Sequence, residues 1–124
     1  MIDQRLRQHR MRIYGVLAIA SGLLIAYWWF SGSRFDSNAW KSVTGNDASK
    51  LAMVDDLLSR YQLVGMKRTE IDDLLGVPPD TPYFADSDYV YWLGPERGFI
   101  SIDSEWLCID FKDDVVVDAK LMQD

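Results

Sequence analysis

Nucleophilic, acid–base and metal-assisted chemistry all need imidazoles, thiolates or paired carboxylates within reach of one another. This chain offers one histidine, His9, and one cysteine, Cys108. A long apolar run, Ile13 to Phe30, lies between them in the sequence, so the part after the run has no imidazole for a catalytic triad or a zinc site. Cys108 falls in the middle of a strand pattern, away from any predicted helix N-terminus that would activate a thiol, and reads as a small buried hydrophobe. Being single, it makes no internal disulfide. Acids are plentiful, but Asp55-Asp56, Asp72-Asp73 and Asp113-Asp114 are adjacent doublets on helix faces or in a turn, the pattern of solvated charge. Asp86-Ser87-Asp88 and Asp103-Ser104-Glu105 carry oxygen ligands suited to Ca²⁺, yet neither continues into an EF-hand loop. The expectation is a protein that is not an enzyme, with no cofactor and no metal.

Aromatic residues are the richer resource. Tyr83, Phe84, Tyr89, Tyr91, Trp92, Phe99 and Trp106 crowd one short region, and rings of this kind anchor protein–protein contacts. Trp92 and Trp106 lead as partner-binding candidates because both alternate away from the expected helix-facing side of a sheet, and Tyr89 and Tyr91 stand beside them. The alternative is that the Tyr83 to Asp88 loop folds over that outer face and buries them.

These residues have to be positioned by elements that the hydrophobic pattern makes legible. Ile13–Phe30 is uncharged and, as a helix, about 27 Å long, close to the thickness of a bilayer core. Arg5, Arg7, Arg10 and Arg12 precede it, which predicts a cytoplasmic N-terminus (1–12), a single transmembrane helix (13–30) and everything later outside. A cleaved secretory signal is the competing reading, with the same topology. Ala18, Gly22 and Ala26 are spaced by four and line one helix face with small residues, a candidate seam for a homodimer. Residues 1–34 hold five Arg against one Asp, net +4, whereas residues 35–124 hold eight basic against eighteen acidic residues, net −10. Such an acidic outer part excludes nucleic acid as a natural partner.

Residues 31–46 are rich in Ser, Gly and Asn and read as a flexible tether, with Trp40 docking on the domain or sitting at the membrane interface. The folded domain is then 47–124. Leu51, Val54, Leu58 and Tyr61, with Leu57, mark an amphipathic helix over Asp47–Leu63, and Asp56 and Arg60 can pair on its polar face. A second helix covers Arg68–Leu75 and stops at Gly76 before Pro78-Pro79. The period then becomes two: Ser87–Leu93, Trp106–Phe111 and Val115–Leu121 are strands, Phe99–Ile102 extends or rejoins the ladder, and Lys112-Asp113-Asp114 turns. In the last strand Val115, Val117, Ala119 and Leu121 share one face and Val116 takes the other. The fold class is α+β, two helices on a three- to four-stranded antiparallel meander after one transmembrane helix.

The segment Gly65-Met66-Lys67-Arg68-Thr69-Glu70-Ile71-Asp72-Asp73-Leu74-Leu75-Gly76-Val77-Pro78 resembles the G-M-T-x-x-x-V-x-x-L-L-G-x-P signature of the SmpA/OmlA (BamE-like) domain family. Tyr91-Trp92-Leu93-Gly94 and Leu107-Cys108-Ile109-Asp110-Phe111 fall where that family has its first two strands. The resemblance implies a helix-helix-three-strand domain, like that of beta-lactamase inhibitor proteins, acting as a non-enzymatic adaptor in the cell envelope. Two departures accompany it: Lys67 replaces the helix-capping Thr, and the apolar run replaces the lipidated cysteine. Together these readings predict a single-pass inner-membrane protein with a periplasmic domain that binds or scaffolds an envelope protein. The alternatives are an inhibitor of an envelope enzyme, and a ligand or cation sensor coupled to the membrane helix.

Overall fold

The computed structural model describes Tyr14, residues 18–22 and residues 33–124, and divides the chain into two units, Met1–Gly32 and Ser33–Asp124. In the first unit Tyr14 and residues 18–22 are helical and exposed, Ala18 and Gly22 among them. Most of the predicted membrane-spanning run, Ala26 included, lies outside the described residues. Among the described residues no helix is long and apolar enough to cross a membrane.

The second unit is α+β. Its elements are α1 (Ser37–Ser42), α2 (Ser49–Arg60), α3 (Arg68–Leu75), β1 (Tyr89–Pro95), β2 (Ser104–Lys112) and β3 (Val115–Gln123). The strands form an antiparallel meander in the order β1-β2-β3. The β2–β3 turn places Asp113 at φ 51° and Asp114 at φ 60°, the two consecutive left-handed residues that a two-residue hairpin needs.

The folded unit begins at Ser33, earlier than the composition suggests, which corrects the tether reading for residues 33–46; residues 31 and 32 lie outside the described residues. Phe35 is buried and Trp40 fully so, with Trp40 edge-on to both Phe35 and Tyr91. Asp36 caps α1 by accepting a hydrogen bond from the Ala39 amide (2.8 Å). In turn α1 closes α3: Ser37 Oγ donates to the Leu74 carbonyl (2.7 Å) and Lys41 Nζ to the Asp73 carbonyl (2.9 Å). These carbonyls belong to the last helical turn, which has no partners of its own. Gly76 ends α3 at φ 75°, as its position predicts.

In α2 the buried residues are Met53, Val54 and Leu57, while Leu58 and Tyr61 are each 36% exposed. Of the stripe read as Leu51, Val54, Leu57, Leu58 and Tyr61, Val54 and Leu57 are buried and Leu51 packs against the core, while Leu58 and Tyr61 turn partly outward. The Asp56–Arg60 pair forms at 2.9 Å. Lys67 supplies no side-chain cap to α3, and its place is taken by the hairpin turn, whose Asp114 carbonyl accepts from the Arg68 amide (2.8 Å). Gly65 and Met66 bond to Val116, and Lys67 bridges Val115, so the first residues of β3 are shielded on their outer edge.

Two bulges decide which side chains enter the core. On β1 the register slips between Trp92 and Gly94, leaving Leu93 as the extra residue. On β3 Asp118 opposes Asp110 while Val116 opposes Phe111, so Val117 is extra. Strict alternation puts Val116 on the outer face, but the bulge turns it inward to 1% exposure and leaves Val117 half exposed. The helix-facing core thus combines Tyr89, Tyr91, Leu93, Leu107, Ile109 and Val116 with Trp40, Leu57 and Ile71. Phe99–Ile102 does not rejoin the ladder: it is a bent, exposed excursion between β1 and β2.

Candidate functional site

Val90, Trp106 and Cys108 form a second, smaller cluster on the outer face of the sheet, joined by Phe84, Trp92 and Met122. Among the described residues, no helical side chain joins this cluster. The chain between α3 and β1 does so instead, with Tyr83 stacked on Trp106 (centroids 5.1 Å apart) and Phe84 edge-on to it (6.1 Å). Trp106 is left 7% exposed, and its Nε1 donates to Asp124 Oδ2 (3.0 Å). Of the two arrangements the sequence left open, the structure has the Tyr83–Asp88 loop lying over Trp106. Trp92 lies opposite Trp106 across the ladder and is half-buried.

Tyr89 and Tyr91 point to the other face and act as struts between the sheet and α3. Tyr91 Oη donates to the Gly76 carbonyl and Tyr89 Oη to Asp72 Oδ1, both at 2.6 Å. Burial pushes both phenols above their ordinary pKa. Both hydroxyls are engaged within the unit. Cys108 is buried, and burial raises its thiol pKa, so it packs as the small hydrophobe expected.

The covering loop has a backbone peculiarity. Phe84 sits at φ 50°, in the left-handed region that a bulky aromatic residue seldom adopts, and its carbonyl accepts from the Ser87 amide (2.9 Å). Unusual angles of this kind persist where surrounding contacts hold them, often at binding sites. Here the conformation lays the Phe84 ring on Trp106 and opens a groove of about 320 Å³ beside it. Val77, Pro78, Tyr83 and Phe84 give it apolar patches, but Asp80, Thr81, Ser87 and Asp88 share the lining, and more of its wall is polar than apolar. Val77 is 67% and Tyr83 50% exposed, so the groove opens to solvent beside an apolar rim. The sequence marked Tyr83 and Phe84 as members of an aromatic cluster and of a loop able to cover the outer face of the sheet. The left-handed φ of Phe84, a residue of the groove wall, is encoded by no local pattern.

A separate feature lies at the β1–β2 end of the sheet. Phe99 is fully exposed, Ile100 67% and Ile102 83%, on a loop whose base is tightly fixed. Arg97 meets the buried Glu105 with Nε on Oε2 and Nη2 on Oε1, both at 3.0 Å, and its amide donates to Oε2 as well (2.9 Å). Arg97 Nη1 reaches Asp55 of α2 at 2.6 Å. Glu96 and Asp103 close the neck through a backbone bond of 2.8 Å, and Ser101 Oγ donates to the Glu96 carbonyl (2.6 Å). Below the neck, Gly94 approaches α2 so closely that a Cβ would stand 2.9 Å from that of Ala48.

Burial raises the Glu105 pKa, but the hydrogen bonds and charge of Arg97 outweigh it and hold the carboxylate below its ordinary range. A folded-state pKa below the unfolded one gives stability that is present above the unfolded value, about 4.3, and is lost as pH falls through the folded value. Glu105→Gln should therefore lower the denaturation midpoint at pH 7. The gap to the native protein should narrow as pH falls below about 4. A pH-independent gap would mean that the carboxylate charge is not what Arg97 holds.

Among the described residues, no group of three or more His, Cys, Asp or Glu side chains is placed to hold a metal ion. Comparison of the chain with family models, curated proteins and solved structures gives no match.

Proposed function

We propose that this protein is a non-enzymatic, membrane-anchored binding module whose Ser33–Asp124 unit holds a segment of an envelope protein in the groove beside Phe84. The observation that carries this reading is the groove itself: apolar patches from Val77, Pro78, Tyr83 and Phe84 set in a mostly polar wall that includes the carboxylates of Asp80 and Asp88. Apolar patches reward an apolar side chain, and fixed negative charge favours a basic neighbour and disfavours an acidic one. The matching partner segment is extended, apolar and basic. The acidic character of residues 35–124 extends the same preference over the surroundings.

The α+β fold agrees with the BamE-like resemblance, which supports an adaptor role in envelope or membrane-protein assembly. The arginine-flanked apolar run supports an inner-membrane anchor, a cytoplasmic N-terminus and a periplasmic domain. Crosslinking in intact cells, followed by mass spectrometry, tests the reading. Tyr83→Ser combined with Asp80→Lys changes two groove residues, one half exposed and one exposed, and should leave folding intact while removing one envelope protein from the crosslinked set. An unchanged set with a folded variant would contradict the groove as the binding surface.

A further inference from the structure

The groove leaves unexplained why the opposite loop presents Phe99, Ile100 and Ile102 to solvent on a neck held by Arg97, Glu105 and Asp55. An unsupported apolar loop would collapse onto the domain; this one is held away from it. Its position relative to the start of the unit supplies the reason. Ser33 donates its amide to the Ala52 carbonyl (3.1 Å), and Phe35 donates to Asp56 Oδ2 (2.6 Å), so this segment runs along α2 in the direction of that helix. Read from Phe35 back to Ser33, the segment runs toward the first turn of α2. That turn is where Gly94 packs on Ala48 and Leu51 and where the loop rises. Ala52, which holds Ser33, and Asp55, which holds Arg97, are three residues apart, less than one helical turn. The apolar tip and the point where the N-terminal run joins the domain therefore share one end of the unit.

We propose that the Gly98–Ile102 tip enters the interfacial layer of the same bilayer that the Ile13–Phe30 run is read as spanning, and so fixes the orientation of the domain. The proposal rests on that anchoring and is independent of the groove. Residues 98–102 are uncharged, and the acids Glu96 and Asp103 stay at the neck, where the headgroup region is wet. The run ends at Phe30, only a few residues before Ser33, so the tip is presented to the surface at high effective concentration and needs little affinity of its own. With this end down, the β2–β3 hairpin points away from the membrane. The nine residues of β2 separate the two ends by roughly 26 Å.

Full-length protein reconstituted into phosphatidylcholine vesicles provides the test. An environment-sensitive fluorophore is attached at Ile100→Cys or, as the control, at Val117→Cys, the half-exposed bulge residue near the far hairpin. Native Cys108 is 1% exposed, so unsubstituted protein should take up no label and reports any background. The expected result is blue-shifted emission and quenching by nitroxide-bearing lipid at position 100, neither at position 117, and loss of both at position 100 on adding Phe99→Ser and Ile102→Ser. A water-like signal at position 100 in protein that floats with the vesicles overturns the proposal. So does equal quenching at both positions, which would mean a domain lying flat, or a label shielded from water yet unquenched by lipid, which would assign the tip to a second copy. Protein that does not float with the vesicles refutes the anchor and the tip contact together, while leaving the groove untouched.

Discussion

Trp40→Ala is expected to leave the Ser33–Asp124 unit largely unfolded at physiological temperature. Trp40 is fully buried between Phe35 and Tyr91, with the Lys50 ammonium over its ring at 5.4 Å. Removing an indole from such a site costs about 3–5 kcal/mol in lost burial and cavity formation. Whole domains are stable by only about 5–15 kcal/mol, and one of this size lies toward the lower end. The loss also frees α1, whose Ser37 and Lys41 close the last turn of α3. Trp40 Nε1 is buried without a hydrogen-bond partner among the described residues, so Trp40→Phe, which removes that donor along with some volume, should cost much less than alanine. Denaturant titration of the full-length protein in detergent, followed by near-ultraviolet circular dichroism, reads both. A cooperative transition with an unchanged midpoint in Trp40→Ala would restore the tether reading of residues 31–46.

The second large effect separates two neighbouring leucines. Leu57→Asp should abolish cooperative folding, because Leu57 is fully buried and an unpaired carboxylate there costs several kcal/mol or is forced to protonate. Leu58→Asp should cost about 1 kcal/mol or less, since Leu58 is 36% exposed and its carboxylate keeps contact with water. The same titration distinguishes them, and equal losses would mean that α2 is rotated on the sheet.

That pair shows where local pattern is enough and where it fails. The stop at Gly76, the Asp113-Asp114 turn, the Asp56–Arg60 pair and the order of three antiparallel strands were legible because each is set by residues close in sequence. The stripe of α2 was drawn too wide, because Leu57 and Leu58 are equally apolar and only the sheet beneath decides which of them is buried. The inward turn of Val116 was hidden for a related reason: period-two alternation assumes an unbroken ladder, and the bulge at Val117 arises from pairing with β2. Trp40 was hidden by its company, since Ser, Gly and Asn around it signal a linker while one indole and Phe35 supply the burial that makes a folded start.

The candidate site was legible only in part. The aromatic supply and its acidic surroundings were plain, and the covering of the outer face by the Tyr83–Asp88 loop was one of two readings the sequence allowed. It could not choose between them, because the choice turns on the Phe84 backbone angle. Tyr89 and Tyr91 were grouped with Trp92 by proximity in sequence, yet alternation sends them to the helix side, where their hydroxyls meet Asp72 and Gly76. The exposed Phe99–Ile102 tip was mistaken for strand because its composition is that of a strand. The neck that holds it out joins Arg97 to Glu105 on the next strand and to Asp55 of α2, and the second of these is remote in sequence.

Site-specific photocrosslinking in living cells tests the central claim most directly: a photoreactive residue is placed at Tyr83, at the groove, or at Val117 as control. The account predicts one discrete adduct with an envelope protein from position 83, lost when Asp80→Lys is added, and none from position 117. Adducts from 117 alone, or an adduct from 83 that survives Asp80→Lys, would contradict it.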